Sequence, residues 1–238
     1  MQFTGVLFDK DGTLFDFHGT WGTWAYGFLM ELSGGDILRL QTLANALQYD
    51  LSQKRFLPGS PAVAGTPGEI AECLLPHLPG TTPSALITHI NRTAAVAPLT
   101  EAAPLQPLLG RLRGKGMRLG CVTNDAEGPA RAHLKTAGIF DLMDYIAGFD
   151  SGYGAKPEPG PLLGFCDQMG LNPKTVMMVG DSRYDLIAAR AAGMLAVGVL
   201  TGLATEQELA PLADAILPDI GELPGWLNDL EQISTAAQ

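Results

Sequence analysis

Three short, apolar, β-prone runs each stop at a polar loop, and this repetition constrains the fold more than any other feature of the chain. Phe3-Thr4-Gly5-Val6-Leu7-Phe8 runs into Asp9-Lys10-Asp11-Gly12, residues 117–122 run into Thr123-Asn124-Asp125, and residues 175–179 run into Gly180-Asp181-Ser182. A short apolar run bounded by turn formers reads as a buried strand. The later runs are followed by helical stretches at 128–137, 161–169 and 184–192. Each is closed by a glycine, Gly138, Gly170 or Gly193, suited to a helix C-cap. This alternation predicts an α/β, Rossmann-like parallel sheet with helices on both faces. Ligands of such sheets bind beyond the carboxyl ends of the strands, where all three polar loops fall.

Residues 17–98 break the rhythm. Ile37, Leu38, Leu40, Leu43, Ala44 and Leu47 follow helical spacing after Asp36, Thr66-Pro67-Gly68-Glu69 has the form of a capping box, and Thr82-Pro83 can start a further helix. With no strong strand signal there, 17–98 is expected to be a small α-helical insert, and 1–16 with 99–238 the α/β core. Trp21, Trp24, Tyr26 and Phe28 are assigned to packing within the insert, because large aromatics usually serve that purpose. His18 is assigned a structural role, and Arg39, Lys54, Arg55 and Arg92 are expected at the solvated surface.

A net charge of −10 argues against nucleic acid and anionic membranes as partners and favours a small molecule. Any phosphate site in such a chain must be made locally positive. Cys73, Cys121 and Cys166 are far apart and without metal-binding spacing, so buried free thiols are expected. The first apolar run is too short for the core of a signal peptide and no later run approaches membrane-spanning length, which makes the cytoplasm the expected location.

Taken singly, the polar residues at the strand ends are ordinary: paired acids in a turn, Thr123 and Asn124 as turn formers, Asp181 or Ser182 as a helix cap, Lys156 in a loop rich in Gly and Pro. Their joint order, Asp9-x-Asp11-Gly12-Thr13, Thr123-Asn124, Lys156-Pro157 and Gly180-Asp181-x3-Asp185, resembles the four motifs of the haloacid dehalogenase-like hydrolase superfamily. Phe8-Asp9-Lys10-Asp11-Gly12-Thr13-Leu14-Phe15-Asp16, Val179-Gly180-Asp181-Ser182 and the segments Val199-Leu200-Thr201-Gly202 and Ala213-Asp214-Ala215-Ile216 resemble its phosphoglycolate-phosphatase group, with the insert standing where that group carries a cap.

The resemblance implies a phosphatase acting on a small phosphorylated metabolite, a phosphoglycolate-like phosphomonoester, through an aspartyl-phosphate. Asp9 is then the nucleophile, since a carboxylate is ionised at neutral pH without a helper base. Asp11 is the general acid and then base, Lys156 a catalytic cation, and Gly12, Thr123, Asn124 and Lys156 the phosphate-binding set. Mg2+ is implied as cofactor, held by Asp9, Asp181 and the backbone carbonyl of Asp11, with Asp185 behind them. Other chemistries on the same scaffold stay open: a phosphosugar mutase, a phosphonate hydrolase using Lys54, the insert's lysine, and a non-catalytic phospho-acceptor domain. A dehalogenase has no leaving group to protonate, so Asp11 argues against it.

Overall fold

The computed structural model describes residues 3–57, 59–63 and 65–236. Strand β1 (Gly5–Phe8) is followed by helices α1 (Phe17–Ser33) and α2 (Ile37–Ala46), a hairpin of β2 (Tyr49–Asp50) and β3 (Arg55–Phe56), and helices α3 (Pro67–Leu74) and α4 (Pro83–Ala94). The chain then alternates through α5 (Leu105–Gly114), β4 (Arg118–Val122), α6 (Glu127–Thr136), β5 (Tyr145–Ala147), α7 (Gly160–Met169), β6 (Val176–Gly180), α8 (Arg183–Ala192), β7 (Leu195–Val199), α9 (Glu206–Leu209), β8 (Ala215–Leu217) and α10 (Leu223–Ala236).

Six strands form one parallel sheet in the order β5-β4-β1-β6-β7-β8. β1 lies in the middle, with Phe8 opposite Cys121 of β4 and Val179 of β6, so the three polar loops emerge side by side. The apolar runs are unbroken because both faces of the sheet are covered. Val6, Phe8, Leu119, Cys121, Met177 and Val179 pack on one face with α5, and Leu7, Val122, Val176 and Met178 pack on the other with α7 and α8. Successive residues serve opposite faces, as a strand's two-residue period requires.

Residues 17–97 build a separate apolar cluster in which Leu29, Leu43 and Leu74 are fully buried. The predicted helix starts are realised. Asp36 accepts from the N–H groups of Leu38 and Arg39 (2.8 and 3.1 Å), Thr66 and Glu69 form the capping box, and Thr82 accepts from Ala85 N–H (3.3 Å). Two details differ from the sequence expectation. The insert contains the β2–β3 hairpin, too short to leave a periodic signal, and Ile37 and Leu38 face solvent although they share the apolar spacing of α2. Strands β5 and β8 span three residues each, likewise too few to show alternation.

The two faces of α2 predict unequal costs. Leu43→Ala, at a site with no solvent exposure, is expected to destabilise the protein by about 2–5 kcal/mol, and Leu38→Ala, at a site 81% exposed, by less than about 0.5 kcal/mol. Urea unfolding of the two variants checks the difference.

Candidate active site

The loop after β1 is a tight knot of backbone hydrogen bonds. Asp9 N–H donates to Val179 O (2.9 Å), the N–H groups of Leu14 and Phe15 both donate to Lys10 O (3.0 Å each), and Gly12 N–H donates to Phe15 O (2.7 Å). Gly12 has φ +83°, a conformation that side-chain-bearing residues rarely adopt, and a Cβ there would run into the Asp181 carboxylate. Gly202, in the loop after β7, presses on the same carboxylate from another side and equally has no room for a Cβ. Thr13 Oγ1 donates to Asp181 Oδ1 (3.3 Å) and Thr201 Oγ1 to Gly12 O (2.5 Å). Loops from three strands thus hold Asp181 in one place.

Lys156 is buried, and its ammonium donates to Asp9 Oδ1 (2.5 Å), Asp185 Oδ1 (2.6 Å) and Val122 O (2.9 Å). An ammonium has three donors, and each has an acceptor here. Burial opposes the charge of Lys156, but Asp185 and Asp9 outweigh it and hold the ammonium above its ordinary range. Asn124 fixes the backbone of this lysine: its side-chain amide donates to Lys156 O (2.8 Å) and its side-chain carbonyl accepts from Lys156 N–H (2.9 Å). The other oxygen of Asp185 accepts from Ser182 N–H (3.0 Å) and Oγ (2.6 Å), closing a capping box at the start of α8.

Asp9, Asp181 and Asp185 form a buried trio whose carboxylate oxygens lie within 4.8 Å of one another. Burial pushes Asp9 up to about 7, with Lys156 opposing and Asp185 and Asp11 reinforcing the rise. Asp181 is raised well above its ordinary value by burial, then by Asp9 and Asp185. Three buried acids beside one ammonium call for more positive charge, and an all-oxygen donor set suits a hard divalent cation. Both oxygens of Asp185 already have partners, so the residues that fit such an ion are Asp9 and Asp181, with Asp185 steadying Lys156.

A second buried lysine organises Asp11. Lys10 is fully buried, with its ammonium 2.6 Å from Asp11 Oδ2, 3.3 Å from Asp125 Oδ2, 3.2 Å from His133 Nδ1 and 5.1 Å from the ring centre of Trp21. His133 Nε2 lies 2.7 Å from Ala94 O, at the end of α4 in the insert. These partners fix the tautomer: Nε2–H donates to Ala94, and Nδ1 accepts from Lys10. Burial, then the adjacent Lys10 charge, push His133 down to about 4. Asp11 Oδ1, by contrast, has no hydrogen-bond partner among the described residues.

Between sheet and insert lies a cavity of about 690 Å³, mouth included, lined at its polar end by Asp9, Asp11, Thr123, Asn124, Lys156 and Asp181. Trp21 and Trp24 pack on the insert's apolar cluster as expected, and both also line the cavity. α1 starts directly after the first motif and carries both across the carboxyl ends of the strands. Tyr26 instead stacks with Lys54, whose ammonium sits 4.5 Å from the ring centre, and neither is among the lining residues. Lys10, His133, Asp125, Thr201 and Gly202 were given no site role from sequence, although Thr201-Gly202 belongs to a segment that carries the resemblance and a lysine between two motif aspartates is a local signal for Lys10.

A buried carboxylate paired with a lysine beside two further acids, at the carboxyl ends of a parallel sheet, has the form of a hydrolase site. A model of the haloacid dehalogenase-like hydrolase family matches residues 3–193, and the chain belongs to that family. A phosphoglycolate phosphatase of Nitrosospira multiformis is 33% identical over 220 residues, 91% of this chain and 92% of that one. One of Rhodospirillum rubrum is 39% identical over 121 residues, so the chain matches about half the length of that relative (50%). Within the family the chain falls with this phosphoglycolate-phosphatase-like group. The fold is shared with a crystal structure of CbbY from Rhodobacter sphaeroides in complex with phosphate (TM-score 0.72, 19% identity, covering 93% of this chain and 96% of that one). It is shared also with a haloacid dehalogenase-like hydrolase from Bacteroides fragilis (TM-score 0.70, 23% identity, covering 93% and 100%).

The neutral His133 predicts a pH signature. Its imidazole protonates near 6.5 in the unfolded chain but only near 4 in the native one, so its contribution to stability is complete above pH 6.5 and is lost as pH falls toward 4. His133→Gln, which keeps an N–H donor, is expected to remove that loss. The stability advantage of the wild type over His133→Gln, from urea unfolding, should shrink by about 2–3 kcal/mol between pH 7 and pH 4.

Proposed function

We propose that the chain is a magnesium-dependent phosphatase that hydrolyses a small phosphomonoester through an aspartyl-phosphate on Asp9. The observation that carries this reading is the pairing of Asp9 with Lys156 beside Asp181 and Asp185, in the same cavity as an Asp11 whose Oδ1 is unpartnered. Asp9 attacks phosphorus, and the alcohol oxygen leaves with a proton from Asp11. Asp11 then takes a proton from the water that hydrolyses the acyl-phosphate, so one residue serves both half-reactions. Lys10 pairs with the remaining oxygen of Asp11 and His133 in turn holds Lys10, which keeps Asp11 oriented.

Lys156 keeps Asp9 ionised against the cost of burial and places positive charge near the phosphoryl oxygens. Thr123 and the backbone around Gly12 are positioned to bind those oxygens, and Asn124 acts by fixing the Lys156 loop. Asp9, Asp181 and the carbonyl of Asp11 would hold a magnesium ion, which would supply charge neutralisation for the phosphate dianion. The names of the curated relatives make 2-phosphoglycolate the first compound to assay. A phosphonate hydrolase working through Lys54 is not favoured, because Lys54 does not line the cavity.

Phosphate release should stop in excess EDTA and return with Mg2+. Asp9→Asn should form no phosphoenzyme. Asp11→Asn should turn over alkyl phosphates about 10²–10⁴-fold more slowly, yet accumulate phosphoenzyme from p-nitrophenyl phosphate, whose leaving group needs little protonation. Acid-quench mass spectrometry reads both outcomes. Near-normal turnover by Asp9→Asn would remove Asp9 as nucleophile.

A further inference from the structure

The cavity has two chemically different ends. Away from the phosphate-binding end it is walled by Phe17, Trp21, Trp24, Phe56, Ile70 and Ile90 from the insert. Among the described residues lining it, Lys156 is the one cation, set against Asp9, Asp11, Asp125 and Asp181, and its three protons are already taken. The insert's Arg39, Lys54, Arg55 and Arg92 are not among the lining residues. Lys10, behind the lining, is likewise committed to Asp11 and Asp125, so a leaving group carrying a carboxylate or a second phosphate would meet no uncommitted side-chain cation among the described lining residues, and its burial there is costly. A polyol would lose its water partners to a hydrocarbon wall for the same reason.

Two indoles shape that wall. Trp21 and Trp24 meet edge to face, with ring centres 5.0 Å apart, and Trp24 stacks on Phe28, which holds the ring in place. An aromatic wall of this kind favours another ring, through offset and edge contacts.

We infer that the substrate's leaving group is a neutral, ring-bearing alcohol, and not the carboxylate-bearing alcohol of 2-phosphoglycolate. The inference rests on the phosphatase reading above and narrows it to a substrate class. It assigns Trp24 as a specificity-determining residue and Asp11 as the acid that an alkyl leaving group of this kind needs.

Steady-state phosphate release with Mg2+ tests it on four compounds. Acetyl phosphate needs no leaving-group pocket and reports the phosphatase reading alone, while benzyl phosphate, 2-phosphoglycolate and glucose 6-phosphate carry aromatic, anionic and polyol alcohols. Benzyl phosphate is expected to have a kcat/KM at least about tenfold above the other two esters. Benzylphosphonate should likewise inhibit acetyl phosphate hydrolysis at least about tenfold more tightly than phosphonoacetate, which measures selection without turnover. In Trp24→Arg, which places a cation in the wall, the preference should swing toward 2-phosphoglycolate, and Trp24→Phe should retain the aromatic preference. If that arginine variant does not fold, the wild-type ratios still decide. Equal or inverted preference with acetyl phosphate hydrolysed overturns the substrate class and leaves the phosphatase reading standing. No hydrolysis of any of the four overturns both.

Discussion

The Lys156 ammonium is the interaction around which the core of this molecule is arranged. It sits at the end of the sheet, out of water, and joins the carboxylates of Asp9 and Asp185 to the last carbonyl of β4. Removing a lysine or an aspartate from water is costly unless each finds a partner, and here a single cation answers for two acids, one just past β1 and one in the first turn of α8. The remaining structure follows from that need. Asn124 clamps the lysine's backbone, Ser182 occupies the far oxygen of Asp185, and the start of α8 is fixed by the same carboxylate that holds the lysine. Asp181 lies outside this pairing, wedged among Gly12, Gly202 and Thr13, and burial, then Asp9 and Asp185, disfavour its charge. That imbalance is what a divalent cation would correct.

The second buried lysine plays the corresponding part between core and insert. Burial disfavours the charge of Lys10, but Asp11 and Asp125 outweigh that cost and hold the ammonium above its ordinary range. His133 extends the chain of contacts to the carbonyl of Ala94, so the end of α4, a core helix, the residue between the two motif aspartates and Asp11 are linked by direct hydrogen bonds and an ion pair. Trp21, which lies over the same ammonium, brings α1 into the network. The position of the insert over the site is thereby tied to the orientation of Asp11. The group proposed to handle protons is set by contacts that reach across both apolar clusters.

Much of this was legible in the sequence wherever a local rule decides the outcome. Unbroken apolar runs marked β1, β4 and β6 because those strands are covered on both faces, and glycines marked the helix ends because the left-handed cap conformation favours them. Asp36, Thr66 and Thr82 announced helix starts through side-chain bonds that reach only two or three residues. The β2–β3 hairpin and strands β5 and β8 left no such trace, since two or three residues cannot show a period. Ile37 and Leu38 share the spacing of Leu40 and Leu43 but lie in the first turn of α2 beyond the insert's core, and spacing alone does not say where a core ends.

The sequence by itself determined the fold class, the order of the motifs and the residue types that converge at the strand ends, because these depend on hydrophobic period, turn chemistry and short-range capping. Only the tertiary structure decided which of those residues touch. It gave Lys156 to Asp9 and Asp185, committed Asn124 to the Lys156 backbone, turned Asp11 toward Lys10, and set Trp21 and Trp24, which pack in the insert, on the cavity wall as well. Apart from the adjacent Lys10 and Asp11, these outcomes join residues tens to well over a hundred positions apart. Pairing at that range is set by how sheet and insert pack in three dimensions, a matter on which local pattern carries no information.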